Sequence, residues 1–196
     1  FSQYVVTRAS NAVVVDPDVD LTLLGPLGCG IQTGSGTVLN RLKPVVGESL
    51  VVFGCGAVGL SAIMAAKLTG CSQIIAVDIH ASRLALAGEL GATHQINGKE
   101  QDAVAVIKQI TGKGAHYAVE TTGVSAIVLQ AVHAVKPLGT VAIVGFTGDI
   151  TLNVQNDLMA EGKSLVGVIE GDAVPALFIP LLVQLYKQGK FPIDKL

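Results

Sequence analysis

A chain of 196 residues, half of them hydrophobic and 14% charged, holds one good core and little more, since a single core saturates at roughly 250–300 residues. A net charge of −2 supplies no basic stripe for nucleic acid, and no apolar run approaches the ~20 residues that span a bilayer, so neither nucleic acid nor membrane is an expected partner. Three cysteines, Cys29, Cys55 and Cys71, cannot all pair and form no Cys-x-x-Cys unit, which excludes a disulfide framework and a self-contained structural zinc site and suits a reducing cytoplasm.

The chain opens without Met in a strand-like run, Phe1 to Val6, and reads as a piece of a larger protein. Asn11 to Asp20 is a polar connector containing Pro17, and Leu21 to Gly28 and Gly30 to Leu42 read as helical pieces. Residues 1–47 are thus an expected arm, carried over from the junction with another domain. From residue 48 the signals alternate. Strands are expected at Leu50–Phe53, Ile74–Asp78, Gln95–Asn97, Tyr117–Glu120, Thr140–Val144 and Ser164–Val168. Helices are expected over 57–69, 81–89, 102–110, 125–135 and about 173–188, punctuated by Gly70, Gly91, Gly112, Gly123, Pro137 with Gly139, and Gly189. Strands rich in Val, Ile and Ala that alternate with helices imply right-handed crossovers and an α/β doubly wound parallel sheet over residues 48–196, covered on both faces.

The most informative run is Val51-Val52-Phe53-Gly54-Cys55-Gly56-Ala57-Val58-Gly59, answered by Asp78 at the end of the next apolar run. Gly54 permits a sharp turn after a buried strand, Gly56 leaves no Cβ where a pyrophosphate approaches, and Gly59 lets the following helix pack closely. The helix start then presents free N–H groups and the positive end of its dipole to the phosphates. Asp78, about twenty residues beyond the turn, can accept hydrogen bonds from both adenosine ribose hydroxyls and repels a 2′-phosphate, which favours NAD over NADP. Methyltransferases share such turns but more often carry an acid at the first strand's tip, where this chain has Phe53.

With Pro26-Leu27-Gly28-Cys29-Gly30-Ile31-Gln32-Thr33-Gly34 upstream of that turn, the chain resembles the zinc-dependent medium-chain alcohol dehydrogenases, and among them the aryl- or benzyl-alcohol dehydrogenases. Glu89-Leu90-Gly91-Ala92-Thr93, Glu120-Thr121-Thr122-Gly123, Val144-Gly145-Phe146, Gly167-Val168-Ile169-Glu170-Gly171 and Gly189-Lys190-Phe191-Pro192 extend the likeness over essentially the whole chain. The resemblance implies oxidation of aromatic primary alcohols to aldehydes by hydride transfer to NAD. It implies that Cys29 is one of three protein ligands of a catalytic zinc that acidifies the bound alcohol, the other two ligands and the structural-zinc cysteines lying in an N-terminal domain absent from this chain. His80, His94, His116 and His133 read as solvated or capping residues, and Cys55 and Cys71 as packing residues.

By the same resemblance Gly54, Gly56, Ala57, Val58 and Gly59 line the pyrophosphate and nicotinamide approach, Asp78 and Arg83 address the adenosine ribose, and Thr121 and Thr122 lie beside adenine and ribose. Thr33 lies beside the nicotinamide face, and backbone groups of Val144, Phe146, Val168 and Glu170 grip the carboxamide. Glu170 departs from the apolar residue many members have there. The strand Ser164–Val168 is expected at a sheet edge, pairing with its copy to form a homodimer or part of a homotetramer. The chain alone is expected to bind NAD, hold zinc weakly or not at all, and turn over no substrate. Two rivals are a zinc-free NADPH-dependent quinone-type reductase of the same superfamily and a non-catalytic nucleotide-sensing module.

Overall fold

The computed structural model describes residues 4–196. Six parallel strands, β1 Ser49–Phe53, β2 Gln73–Asp78, β3 His94–Asn97, β4 Ala115–Glu120, β5 Val135–Ile143 and β6 Ser164–Gly167, lie in the order β3-β2-β1-β4-β5-β6. They are joined by helices α2 Ala57–Leu68, α3 Ala81–Leu90, α4 Ala103–Thr111 and α5 Ser125–Ala134, with α6 Pro175–Lys187 after the last strand. This is the doubly wound parallel sheet expected from the alternation. Strand order reverses between β1 and β4, and the crevice outside their carboxyl ends is where open sheets of this kind take ligands.

Side chains alternate across the strands, so each face builds its own core. Leu50, Val52, Ile74 and Ala76 point to one side, with Ile63, Phe178, Leu182 and Phe191. Val51, Phe53, Ile75 and Val77 point to the other, with Ile107, Ala131 and Val132. α2 is buried along nearly its whole length because the arm covers its outer side: α1, Gly30–Gly36, widening into π-helical turns over Thr37–Leu42, crosses it closely. A Cβ on Gly34 would stand 1.9 Å from the Val58 carbonyl oxygen. Val19, Leu27, Ile31, Val38 and Leu42 of the arm belong to the same core as β1 and α6, and an Asp16–Lys187 ion pair ties the connector to α6.

Local expectations needed three corrections. The opening strand fails over its described part: Tyr4, Val5 and Val6 are exposed and outside regular structure, while Phe1 to Gln3 lie outside the described residues. Leu21 to Gly28 forms two short 3-10 turns, Leu21–Leu23 and Gly25–Gly28, rather than one helix; they part at Leu24, and Pro26 lies in the first positions of the second. β5 begins at Val135, five residues early, because an irregularity at Pro137, which has no N–H, and at Leu138, at φ 64°, lets Val135 pair with Ala115 before register resumes at Thr140–Tyr117. Among the described residues no helix is long and apolar enough to cross a membrane.

At the amino ends of β1 and β4 the His116 ring staples the strands: its Nδ1 lies 2.8 Å from Ser49 Oγ, and its Nε2 lies 4.0 Å from Glu48. Burial pushes the ring's pKa down, Lys136 adds to that, and Glu48 opposes it. With the folded value below the unfolded one, about 6.5, the unfolded chain binds more protons between the two. The stability contributed by the neutral ring is therefore complete above pH ~6.5 and falls as pH drops through the folded value. Urea titrations should show the parent losing more stability than His116→Gln between about pH 7.5 and pH 5; equal losses would remove the staple from the account.

Candidate functional site

The turn after β1 is shaped by three glycines with different reasons. Gly54 has φ 91°, and a Cβ there would meet Thr121 Oγ1 at 2.6 Å; a Cβ on Gly59 would stand 1.8 Å from the Gly54 carbonyl oxygen. Both serve the fold. A Cβ on Gly56, at φ −77°, would meet nothing within 4 Å, so its missing side chain relieves no contact inside the chain. It leaves open space beside the start of α2, which carries no side-chain cap and so presents its first N–H groups and positive dipole end to whatever enters. Ala57 at that start is exposed and Val58 half-buried.

Asp78 closes the turn from the tip of β2. Its side chain is 4% exposed. Oδ2 accepts from the Cys55 N–H at 2.7 Å, and Oδ1 accepts from the N–H groups of Ile79 at 2.7 Å and His80 at 2.9 Å. Arg83, half-exposed at the start of α3, reaches to 3.9 Å of Oδ2. Asp78 thus ties the glycine turn to the start of the loop after β2, a structural duty that spacing alone did not reveal. Burial first and the Asp78 charge second push the Cys55 thiol up to about 12, so it stays protonated and acts as packing.

On the far side of the switch point Glu120, fully buried at the tip of β4, accepts from the backbone N–H of Thr122 at 2.7 Å, from that of Gly123 at 3.2 Å, and from the Thr122 hydroxyl. Thr121 donates its N–H to the Phe53 carbonyl at 3.0 Å, and its hydroxyl lies 2.9 Å from that oxygen and 3.0 Å from the Gly54 oxygen. Thr121 and Thr122 therefore sit beside the glycine turn, and their hydroxyls are engaged within the chain. Glu120 was not among the expected site residues; an acid followed by Thr-Thr-Gly at a strand end was its signal. Beyond β5 and β6 a groove of about 310 Å³ is lined by Ile143, Val144, Phe146, Val168 and Ile169 with intervening glycines. Phe146 and Ile169 project fully or largely into solvent. A larger groove, about 730 Å³, opens by the carboxyl end of α2 among Leu39, Leu68, Leu181 and Leu185 and touches none of the candidate residues.

The arm delivers the last group. Cys29 is exposed at the start of α1, Thr33 is buried one turn on, and Gln32 between them bonds to Glu170 across to the segment after β6 at 2.8 Å. Among the described residues no group of three or more His, Cys, Asp or Glu side chains could hold a metal ion. One thiol does not make a zinc site, so the chain by itself does not fit that metal. His94 bonds to Thr93 at 2.9 Å and His133 to Asp157 at 3.1 Å, both at the surface.

Residues 57–187 match the family described as zinc-binding dehydrogenase. Geraniol dehydrogenase of Castellaniella defragrans is 43% identical across the whole chain, which covers 53% of that protein. Alcohol dehydrogenase 1 of Pisum sativum is 34% identical, again over the whole chain and 52% of the relative. Among solved structures, the crystal structure of benzyl alcohol dehydrogenase from Acinetobacter calcoaceticus superposes with a TM-score of 0.94 at 53% identity, over 97% of this chain and 53% of that one. The chain spans about half the length of the relatives it matches. With a six-stranded doubly wound sheet, the glycine turn and these likenesses together, the chain belongs to the zinc-binding dehydrogenase family.

Proposed function

We propose that this chain is the NAD-binding part of a cytoplasmic, zinc-dependent alcohol dehydrogenase that oxidises aromatic primary alcohols, with residues 1–47 joining it to the rest of the enzyme and residues 48–196 binding the cofactor. The observation that carries the reading is the space above Gly56, filled by no protein atom, at an uncapped helix start braced by a buried carboxylate. That geometry fits a diphosphate. Asp78 and Arg83 then address the adenosine ribose, and Thr121 and Thr122 shape the wall beside the adenine and ribose. Gly54, Ala57, Val58 and Gly59 complete the turn. The ring end lies along the groove of Val144, Phe146 and Val168, where backbone groups of those residues and of Glu170 hold the carboxamide, with Thr33 against the nicotinamide face.

Benzyl alcohol and geraniol, named for two relatives, support an activated primary alcohol as the substrate class. We assign Cys29 as one zinc ligand of the complete enzyme, its partners coming from outside this chain, and no chemical step to the chain alone: it binds and orients the cofactor so that hydride from the alcohol carbon reaches the ring. Calorimetric titration should show NAD binding to this chain and NADP binding more weakly. NADP binding the tighter of the two would favour the NADPH-dependent reductase instead.

β6 is one of the two sheet edges, β3 being the other, with Leu165 and Val166 half-covered and Phe146, Met159 and Ile169 exposed. An apolar edge of this kind pairs with a copy or invites aggregation. The chain should therefore elute as a dimer in size exclusion at high concentration, and a monomer at every concentration would sink the edge pairing.

A further inference from the structure

The segment after β6 is held in an unfavourable shape. Glu170, Gly171 and Asp172 are three successive residues in the left-handed region, at φ 51°, 67° and 47°, a conformation that costs two non-glycine residues steric strain. α1 and the π-helical turns that continue it clamp all three. Gln32 Nε2 donates to Glu170 Oε2 at 2.8 Å, Asn40 Nδ2 donates to the Gly171 carbonyl at 3.0 Å, and Arg41 lies 3.4 Å from Asp172. The backbones touch so closely that a Cβ on Gly36 would stand 2.4 Å from the Gly171 oxygen, and one on Gly171 would stand 2.3 Å from the Gln32 oxygen.

Gln32 is 3% exposed, and its amide nitrogen also donates to the Gly28 carbonyl at 3.0 Å. Turning the amide over would set its oxygen against two acceptors, so the network fixes the orientation. Its Oε1 is then buried without a hydrogen-bond partner, an unfavourable state that the fold retains. A strained turn and an unsatisfied amide are kept together for one visible result: a carboxylate is held in one place by a charge-assisted bond, directly after the groove residues Val168 and Ile169. The other oxygen of that carboxylate accepts no bond from the described residues, and Glu170 is solvent-exposed.

Resting on the dinucleotide reading above, we propose that Gln32 is a positioning residue that holds the Glu170 carboxylate beside the pyridine-ring subsite, where its charge selects the cationic oxidised ring over the neutral reduced one. A dinucleotide that docks its phosphates at α2 carries its second nucleotide across the switch point onto β4, β5 and β6, and the apolar groove at the ends of β5 and β6 suits a flat ring. A fixed negative charge there stabilises a pyridinium and does nothing for a dihydropyridine. The pair thereby favours capture of the oxidant and release of the reduced product, as alcohol oxidation requires.

The test compares NAD, NADH and ADP-ribose binding to this chain in its parent form and as Glu170→Gln, which keeps the hydrogen bond and removes the charge. Gln32→Leu, which frees the carboxylate, serves as the second variant, and thermal unfolding is recorded for each. The expected result is a shift of the NAD-to-NADH affinity ratio toward NADH by about fivefold or more in both variants, with ADP-ribose affinity unchanged. An unchanged ratio, or equal losses for all three ligands, overturns the inference and leaves the dinucleotide reading standing. A parent chain that binds neither NAD nor ADP-ribose overturns both.

Discussion

Gly56→Val is expected to leave the stability of the chain within about 0.5 kcal/mol of the parent and to weaken NAD binding by roughly a hundredfold or more, the ~2.7 kcal/mol that closing a diphosphate seat should cost. The two halves of that expectation come from one measurement on the structure. A Cβ at Gly56 meets nothing within 4 Å and the backbone there is at φ −77°, open to any residue. Nothing in the fold requires a glycine at that position, so folding should tolerate the valine and only an entering ligand should feel it. Gly59→Val reverses the pattern. Its Cβ falls 1.8 Å from the Gly54 carbonyl oxygen and 3.1 Å from Val52 Cγ1, an overlap that α2 must relieve by moving off β1, costing about 3 kcal/mol or more. Paired urea melts and NAD titrations separate the two. If Gly56→Val kept the parent's affinity, the phosphates would not lie over that residue.

That contrast also measures what could be read before any coordinates. The two glycines look alike as letters, but their places in the motif read Gly56 as room for a phosphate and Gly59 as close packing of the helix, and the structure leaves open space at the first and sets the Gly54 carbonyl and Val52 against the second. The doubly wound parallel sheet followed from the alternation of apolar runs and helical stretches, because burial on both faces leaves such runs few alternative arrangements, whereas the strand order and the switch point came only with the pairing of the strands. What was not legible depends on contacts between distant segments. The Gln32–Glu170 bond spans 138 positions, and the Glu120 carboxylate turns back on Thr122 and Gly123 at a strand end. The arm was read as a junction with another domain, and its place in this core was not foreseen, although Leu27 is 1% exposed and Ile31 fully buried. Its small residues, Gly34 and Gly36, were the cue: a helix carrying them on one side approaches a neighbour's backbone closely. At β5, Pro137 was taken as a separator, and only the pairing of Val135 with Ala115 shows the strand running through it.

Asp78→Asn should cost stability and cofactor selectivity together. In the parent, both carboxylate oxygens face N–H donors: Cys55 on one side, Ile79 and His80 on the other. An asparagine can satisfy only one side. Its oxygen can serve Ile79 and His80, but its NH2 group then faces the Cys55 N–H, and that donor is left buried without an acceptor, at a cost of about 1–3 kcal/mol. The same change removes the acceptor and the negative charge proposed to recognise the adenosine ribose, and it releases Arg83, now 3.9 Å from Oδ2 and half in solvent, to pair with a 2′-phosphate. NAD affinity should fall about tenfold, roughly 1.4 kcal/mol, while NADP affinity holds or rises. Urea melts report the first effect and calorimetry with the two cofactors the second. The double variant Asp78→Asn with Arg83→Ala should lose the NADP gain, because no cation then remains at that position. A preference for NAD left unchanged in Asp78→Asn would confine this carboxylate to bracing the turn and remove it from cofactor recognition.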